Sequence, residues 1–122
     1  MTHPLIIIGA GIAGLWTALQ AAPRRVVLLT GARLGMSSST GWAQGGVAAA
    51  LGADDSPSLH ARDTIAAGAG LVDEAAAHLL AEAGPAEIEA LYALGAPFER
   101  EADGSWALSR EAAHSRARVA RV

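Results

Sequence analysis

The chain has 122 residues, which is enough for one small domain but too few for a dinucleotide enzyme with its own substrate domain. It contains no cysteine, so disulfides, thiolate metal sites and cysteine nucleophiles are excluded. A net charge of −3 argues against a surface for nucleic acid or for an anionic membrane. The apolar run at residues 5–19 is shorter than the roughly 20 residues of a membrane-spanning helix, so we expect a soluble cytoplasmic protein.

The first thirty residues carry the pattern of a β-α-β unit. The run Leu5–Ile8 predicts a parallel strand that is covered on both faces. Residues 12–21 predict a helix, which Pro23 ends. Residues 25–30 predict a second buried strand. This order indicates an α/β fold and the start of a doubly wound parallel sheet.

The middle of the chain predicts loops and capped helices. Residues 31–41 predict a polar loop, and residues 44–51 a short Ala-rich helix. Ser56 is the expected N-cap of a helix that runs through residue 67 and ends at the glycines of residues 68–70. Asp73 is the expected N-cap of a further helix through residue 83.

The last third predicts a third helix, a hairpin and a terminal helix. Gly84-Pro85 should separate the preceding helix from one that ends near Leu94. Residues 98–106 predict a hairpin around Asp103-Gly104, and residues 110–122 have a helical pattern. A doubly wound sheet needs more than two parallel strands, and the chain stops inside a helical pattern. We therefore expect residues 1–122 to be the N-terminal segment of a larger domain rather than a complete small one.

Three glycines between the first strand and the first helix form a dinucleotide fingerprint. Gly9 permits the turn, Gly11 lets backbone approach a pyrophosphate, and Gly14 lets helix and strand pack closely. The alternative is an Ala/Gly-rich helix start without a ligand. The carboxylate that commonly binds the ribose, about 20 residues further on, is replaced by Thr30, followed by Gly31. This departure weakens the case for an NAD-binding dehydrogenase.

A second polar, glycine-rich segment follows at residues 37–50. Four hydroxyls at residues 37–40 suit phosphate and ribityl oxygens, and Gln44 can bond the edge of a heterocycle. Gly45 and Gly46 let backbone N–H groups approach a flat ring, although a serine-rich surface loop would look similar. In this order the two motifs favour a flavin nucleotide. The predicted cofactor-binding residues are Gly9, Ala10, Gly11, Ile12, Ala13, Gly14, Thr30, Gly31, Ser38, Ser39, Thr40, Gly41, Trp42, Ala43, Gln44, Gly45 and Gly46.

These motifs belong to five ordered blocks that cover nearly the whole chain. The blocks are GAGIAG (residues 9–14), STGWAQGGVAA (39–49), HARDTIAAGAGLVD (60–73), LGAPFE (94–99) and LSREAAHSRARV (108–119). In them the chain resembles the N-terminal end of flavoproteins of the succinate dehydrogenase/fumarate reductase superfamily and, within it, the L-aspartate oxidase family. The resemblance implies an incomplete Rossmann-like FAD-binding domain, with FAD as cofactor.

Within that superfamily the flavin is bound either covalently or non-covalently, and the resemblance bears on which of the two applies here. Respiratory members attach it to a His in an HTxAAEGG segment, whose His and Glu positions are Ser39 and Gln44 here. Serine cannot form that link, so the resemblance implies non-covalent FAD. In L-aspartate oxidases a TREGGHS block carries a substrate-binding Glu, a role that passes to Glu111. The two glycines of that block are Ala112 and Ala113 here.

From the residues alone, the end of the chain has a simpler interpretation. Glu111, His114 and Arg118 stand at i, i+3 and i+7, which on a helix is one face and suits a solvated ion-pair stripe. With the resemblance, Glu111 becomes a substrate contact. His114 is then a secondary candidate, together with Arg110 and Arg116. His60 and Asp63 are expected to anchor a helix rather than take part in chemistry.

For the longer protein the resemblance implies oxidation of L-aspartate to iminoaspartate in NAD biosynthesis. Oxygen or fumarate would accept the electrons, and iminoaspartate would pass to quinolinate synthase. The family's catalytic Arg and dicarboxylate-binding residues lie in a later capping domain, so we expect neither a catalytic residue nor a metal site here. The alternatives are a fumarate reductase or succinate dehydrogenase flavoprotein, an FAD- or dinucleotide-binding module without activity, and an NAD-binding Rossmann protein.

Overall fold

The computed structural model of the chain describes residues 3–36, 38–43 and 46–122. The chain divides into two compact units, Met1–Gln44 and Gly45–Val122. The elements of the first unit are β1 (Leu5–Ile8), α1 (Ile12–Gln20), β2 (Val26–Leu29) and a 3₁₀ turn at Ser39–Trp42. Those of the second are β3 (Val47–Ala48), α2 (Pro57–Ala67), α3 (Glu74–Ala93), β4 (Leu108–Ser109) and β5 (Val119–Ala120).

The N-terminal unit is the predicted β-α-β arrangement. Strands β1 and β2 are parallel, with Leu5 opposite Val26. Gly9 turns the chain between β1 and α1 at a φ of +108°, which a side chain would disfavour. A Cβ on Gly14 would overlap the carbonyl oxygen of Gly9, so glycine is what allows α1 to pack this closely on β1.

The two strands are not covered on both faces, contrary to the prediction. Ile7 is partly buried and would contact a Cβ placed on Gly14 of α1, whereas Ile6 and Ile8 are 59% and 85% exposed. The burial of β2 alternates in the same way. In the part of this unit that the structure describes, α1 is the one α-helix, and a single helix can cover only one face of the pair.

The C-terminal unit combines a helical pair with a small antiparallel sheet. Helices α2 and α3 pack together. The sheet has the order β3-β5-β4, with Ala120 of β5 opposite both Val47 and Leu108. Its apolar core is formed by the buried side chains of Ala49, Ile88, Phe98 and Ala120.

Both predicted helix caps and the predicted hairpin are present. Ser56 Oγ accepts a hydrogen bond from the Leu59 N–H at 3.2 Å, at the start of α2. Asp73 Oδ1 accepts one from the Ala76 N–H at 3.0 Å, at the start of α3. The hairpin closes with a bridge between Arg100 and Trp106, as the turn residues between them indicated. These are local signals, and each acts on its own neighbours.

The predicted break at Gly84-Pro85 is wrong, because α3 continues through both residues. Pro85 removes one helical hydrogen bond, but Ala77, Ala81 and Ile88 stay buried on either side of it. Their spacing of four and seven residues keeps them on one face, so packing outweighs the lost bond. Although α3 has 20 residues, no helix in the described ranges is long and apolar enough to cross a membrane.

Two predicted helices are strands instead. The described part of the 44–51 segment contains β3, and residues 110–122 form a loop that leads into β5. Gly46 has a φ of +128°, and the Cα hydrogen that stands in the position of a Cβ faces the Ala120 carbonyl. This backbone conformation excludes a helix there. Val119 is 4% exposed and Ala120 is fully buried between β3 and β4. Strand pairing between distant segments therefore overrides the helical pattern.

The continuity of α3 predicts that Pro85→Ala stabilises the C-terminal unit. Alanine restores the missing N–H, and the gain in unfolding free energy should be about 1–3 kcal/mol. Urea unfolding followed by far-UV circular dichroism measures it. Pro57→Ala is the matched control, because Pro57 is at the first turn of α2, where proline is favourable, and its replacement should give no gain. Equal effects of the two substitutions would contradict this account.

Candidate functional site

A cavity of about 410 Å³ lies in the N-terminal unit, at the carboxyl ends of β1 and β2. This volume is within the range of small-molecule sites. Seven predicted residues line it: Gly9, Ala10, Gly11, Thr30, Gly31, Ser38 and Ser39. Sequence reasoning missed two further lining residues, Arg33 and Gly35. The sequence feature that could have indicated Arg33 is its position as a cation soon after the second strand.

One hydrogen bond joins the two predicted motifs. The N–H of Ile12, the first residue of α1, donates to Thr40 Oγ1 at 3.1 Å. A Cβ on Gly11 would stand in ordinary van der Waals contact with this segment, 3.4 Å from Thr40 Oγ1 and 3.6 Å from Ser38 Cβ. Thr40 therefore caps a helix that begins 28 residues earlier.

The next N–H groups of α1 remain available to a ligand. Gly11 provides no side-chain cap. Ala13 and Gly14 donate to no residue among those that the structure describes, whereas the Leu15 N–H bonds the Gly11 carbonyl. Free N–H groups at a helix N-terminus favour an anion.

The cavity has room where side chains would otherwise stand. A Cβ on Gly9, Gly31 or Gly35 would meet no atom within 4 Å. Ser38 and Ser39 add hydroxyls and Arg33 adds a positive charge. Open glycine backbone, hydroxyls and a cation are the groups that bind phosphate and sugar oxygens. The residues present thus fit the phosphate-bearing part of a nucleotide.

Thr30 uses its hydroxyl within its own turn. Its Oγ1 donates to the Ala32 carbonyl at 2.9 Å and accepts from the Ala32 N–H at 3.4 Å. Both bonds stabilise the bend that follows β2. The hydroxyl is consequently a poor substitute for the two-oxygen carboxylate that commonly binds a ribose at this position.

The remaining predicted cofactor residues do not line the cavity. Trp42 is the last residue of the 3₁₀ turn and is 81% exposed. Gly46 belongs to the C-terminal unit, where it lies against Ala120. Gln44 and Gly45 lie outside the described residues. The others that the cavity lining does not include are Ile12, Ala13, Gly14, Thr40, Gly41 and Ala43.

Glu111 lies on a loop between β4 and β5, not on a helix. It is exposed, and its carbonyl accepts the His114 N–H at 3.3 Å. Arg110 Nε donates to the His114 carbonyl at 3.0 Å, which tightens the turn. Ala113 adopts a φ of +70°, at a position where the resembled block has glycine. An L-residue in that region costs roughly 1–2 kcal/mol, so the fold tolerates some strain beside Glu111.

The predicted ion-pair stripe is instead a buried cluster around Arg118. Arg118 is fully buried and donates twice to Asp55, from Nε at 2.9 Å and from Nη2 at 2.8 Å. Its Nη1 lies 2.9 Å from Asp63 Oδ2, an ion-pair contact without hydrogen-bond geometry. Asp63 Oδ2 also accepts the N–H and the hydroxyl of Ser115, both at 2.7 Å. Asp63 thus ties α2 to the Glu111 loop.

The cluster lowers the pKa of two side chains, which favours the charged form of Asp63 and the neutral form of His60. The hydrogen bonds from Ser115, followed by the charge of Arg118, lower the pKa of Asp63 to about 2. Burial, followed by the charges of Arg118 and His114, lowers the pKa of His60. The His60 ring lies edge-on to that of His114, with centroids 5.6 Å apart. No group of three His, Asp or Glu side chains among the residues described is arranged to hold a metal ion.

The sequence profile of the FAD binding domain family matches residues 5–122. The chain belongs to this family. FAD is the cofactor that this membership indicates, and the match supports the predicted α/β FAD-binding fold. The chain is 57% identical to the L-aspartate oxidases of Caulobacter vibrioides and Mesorhizobium japonicum, over 96% and 93% of its own length. It spans only 24% and 22% of theirs.

Two solved structures extend the comparison. The chain matches the Mycobacterium smegmatis Sdh1 complex in the apo form with a TM-score of 0.91 at 33% identity, over 98% of this chain and 21% of that one. It matches Escherichia coli quinol fumarate reductase with a TM-score of 0.87 at 32% identity, over 95% and 20%. This FAD-binding chain therefore has the fold of a segment of those flavoproteins.

The buried position of Arg118 predicts a large cost for its removal. Arg118→Leu leaves two carboxylates without their counter-ion and should lower the unfolding free energy by about 3–5 kcal/mol. Arg116→Ala is the matched control, because the Arg116–Asp54 pair is exposed and should contribute at most about 1 kcal/mol. Urea unfolding at neutral pH measures both. Similar losses for the two variants would contradict a buried structural cluster.

The lowered pKa of Asp63 predicts acid-dependent stability. Because the folded pKa of about 2 lies below the ordinary aspartate pKa of 3.8, the stabilisation is complete above pH 4 and is lost as pH falls towards 2. Ser115→Ala removes the largest cause of the shift and should flatten the stability profile between those limits. Urea unfolding from pH 2 to 6 measures this, with Asp63→Asn as the variant that cannot titrate. A Ser115→Ala profile as steep as that of the unmodified chain would refute the assignment.

Proposed function

We propose that this chain holds FAD non-covalently, with the phosphate-bearing part of the cofactor in the N-terminal cavity. The observation that carries the proposal is the bond from the Ile12 N–H to Thr40, because it brings the two glycine-rich motifs to one cavity. The proposed binding residues are the seven predicted lining residues, the free N–H groups of Ala13 and Gly14, and the predicted segment from Thr40 to Gly46.

The protein groups have distinct tasks in this proposal. The N–H groups of Ala13 and Gly14 bind phosphate oxygens, and the hydroxyls of Ser38 and Ser39 orient the neighbouring part of the cofactor. Ser39 stands where respiratory relatives have the attached His, and a hydroxyl forms no such bond. FAD itself, when bound, supplies the capacity to accept a hydride.

For the longer protein we propose oxidation of L-aspartate to iminoaspartate. The support is the 57% identity to two proteins named L-aspartate oxidase. Glu111, exposed on a loop tied to Asp63 through Ser115, is the proposed contact for the substrate amino group. NAD biosynthesis, oxygen or fumarate as acceptor, and transfer of iminoaspartate to quinolinate synthase belong to the same proposal.

A second candidate is a fumarate reductase or succinate dehydrogenase flavoprotein. The TM-scores of 0.91 and 0.87 favour it as much as they favour an oxidase, because both classes share this fold. Ser39 separates the two, since a covalent histidyl flavin needs the His. An NAD-binding protein is less consistent with Thr30 at the end of β2.

The proposal predicts a yellow, dissociable complex. The purified chain should bind added FAD, and acid precipitation should leave the flavin in the supernatant. Aspartate should not bleach it, because the chain spans a quarter or less of its oxidase relatives. Absorbance at the flavin bands measures all three. Flavin in the pellet would refute non-covalent binding, and bleaching by the chain alone would refute the inactive-module interpretation.

The same experiment has a matched pair of variants. Thr40→Val removes the cap of α1 and should weaken FAD binding about fivefold, since a cap contributes about 1 kcal/mol. Thr40→Ser keeps the hydroxyl and should bind FAD like the unmodified chain. Equal weakening by both would show that the Thr40 hydroxyl does not organise the site.

A further inference from the structure

Two histidines join α2 to the Glu111 loop in the C-terminal unit. His60, near the start of α2, lies edge-on to His114 of the loop, with ring centroids 5.6 Å apart and ring planes at 67°. The Nδ1 atoms of both rings are buried and have no hydrogen-bond partner among the residues that the structure describes. Packing of one ring against the edge of the other is therefore part of what holds the loop to the helix.

A proton on His60 is unfavourable in this contact. A protonated imidazole is a donor at both ring nitrogens, and Nδ1 of His60 has no acceptor in the described part of the chain. Burial, followed by the charges of Arg118 and His114, outweighs the attraction of Asp55 and Asp63 and lowers the pKa of His60. The contact consequently favours the neutral ring.

Several elements present charged or titratable groups to His60. These groups are Asp55 before α2, Asp63 on α2, His114 on the loop, Arg118 just before β5, and Glu87 of α3, which lines a cavity together with His60. Glu87 is exposed, so solvent screens its attraction for a protonated His60. Asp63, with a pKa of about 2, stays ionised near neutral pH and keeps its bonds to Ser115. Histidine ordinarily changes its charge between about pH 5 and 8, so a response of the contact in that range comes from the histidine pair.

We propose that His60 is a positioning residue that holds the Glu111 loop against α2 while its ring is neutral, and that protonation of His60 releases the loop. Release would free Glu111 from the turn in which its carbonyl accepts the His114 N–H at 3.3 Å. Acid would thereby withdraw the proposed contact for the substrate amino group. That consequence rests on the proposed function of Glu111, whereas the contact between helix and loop does not.

Opening of the loop should be linked to the uptake of one proton. The pKa of His60 is lowered in the closed loop and returns towards its ordinary value of 6.5 when the loop opens. The stabilisation of the closed loop is therefore fully present above pH 6.5 and is lost as pH falls through the lowered pKa. Between these two values the equilibrium constant for opening should rise about tenfold per pH unit.

Amide hydrogen exchange of the full chain, followed by NMR, tests the proposal. The Ser115 N–H is the probe, because its 2.7 Å bond to Asp63 requires a closed loop. The Ile88 N–H in the buried part of α3 is the reference, because global unfolding would expose both amides. Relative to an unstructured peptide at the same pH, exchange of Ser115 should accelerate about tenfold per pH unit below 6.5, and that of Ile88 should not. Equal acceleration of both amides, or none at Ser115, overturns the proposal.

Three variants assign the effect to His60. His60→Phe keeps an aromatic ring beside His114 but cannot be protonated, so the relative exchange of Ser115 should no longer depend on pH. His60→Gln is a second neutral replacement and should also remove the dependence. His78→Gln removes an exposed histidine of α3 and should retain the profile of the unmodified chain.

The outcomes separate this inference from the proposed function. A pH dependence that persists in either folded His60 variant, or that disappears in His78→Gln, overturns the assignment to His60. If neither His60 variant folds, the comparison of Ser115 with Ile88 in the unmodified chain decides. Failure of the chain to bind FAD, or of the longer protein to oxidise L-aspartate, would overturn the proposed function and leave the exchange result unchanged.

Discussion

The candidate site depends on a single long-range hydrogen bond, from the Ile12 N–H to the Thr40 hydroxyl. Local sequence provides α1 with no capping side chain, because Gly11 stands at the N-cap. Thr40 supplies that cap from the loop after β2, and so the loop closes over the start of the helix. Gly11 lies beside this bond and lines the cavity, so the bond holds the two glycine-rich motifs together at the candidate site.

A different constraint organises the C-terminal unit. Six of the nine buried apolar residues that the structure describes in this unit are alanines, which contribute little apolar area each. Arg118 and its two carboxylates fill the interior beside this small core and join the start of α2 to the strand end of the Glu111 loop. Removal of one member of such a cluster leaves an uncompensated buried charge, so the three side chains depend on one another.

Elements set by their own neighbours were predictable from the sequence. The β-α-β order, the caps at Ser56 and Asp73 and the turn at Asp103-Gly104 all follow local rules. The strands β3 and β5 were missed because each is two residues long and exists only through pairing with a distant segment. The break at Pro85 was predicted and is absent, because burial on both sides of it holds α3 together.

The candidate site also combines features that local sequence predicts with features that depend on distant contacts. The spacing of Gly9, Gly11 and Gly14 predicts their roles. No spacing in the sequence indicates that Thr40 caps α1 or that Arg33 lines the cavity. Arg118 was expected on an exposed face because its neighbours look helical. Its burial depends on Asp55 and Asp63, which stand 63 and 55 residues earlier in the chain.

The left-handed Ala113 lowers the free energy that holds the Glu111 loop in its observed conformation. The strain amounts to roughly 1 kcal/mol relative to glycine, which corresponds to about a fivefold change in an equilibrium constant. The two hydrogen bonds that Asp63 accepts from Ser115 act in the opposite sense and stabilise the loop. The geometry around Glu111 therefore depends on one strained backbone angle and one carboxylate, and a single substitution can change either of them.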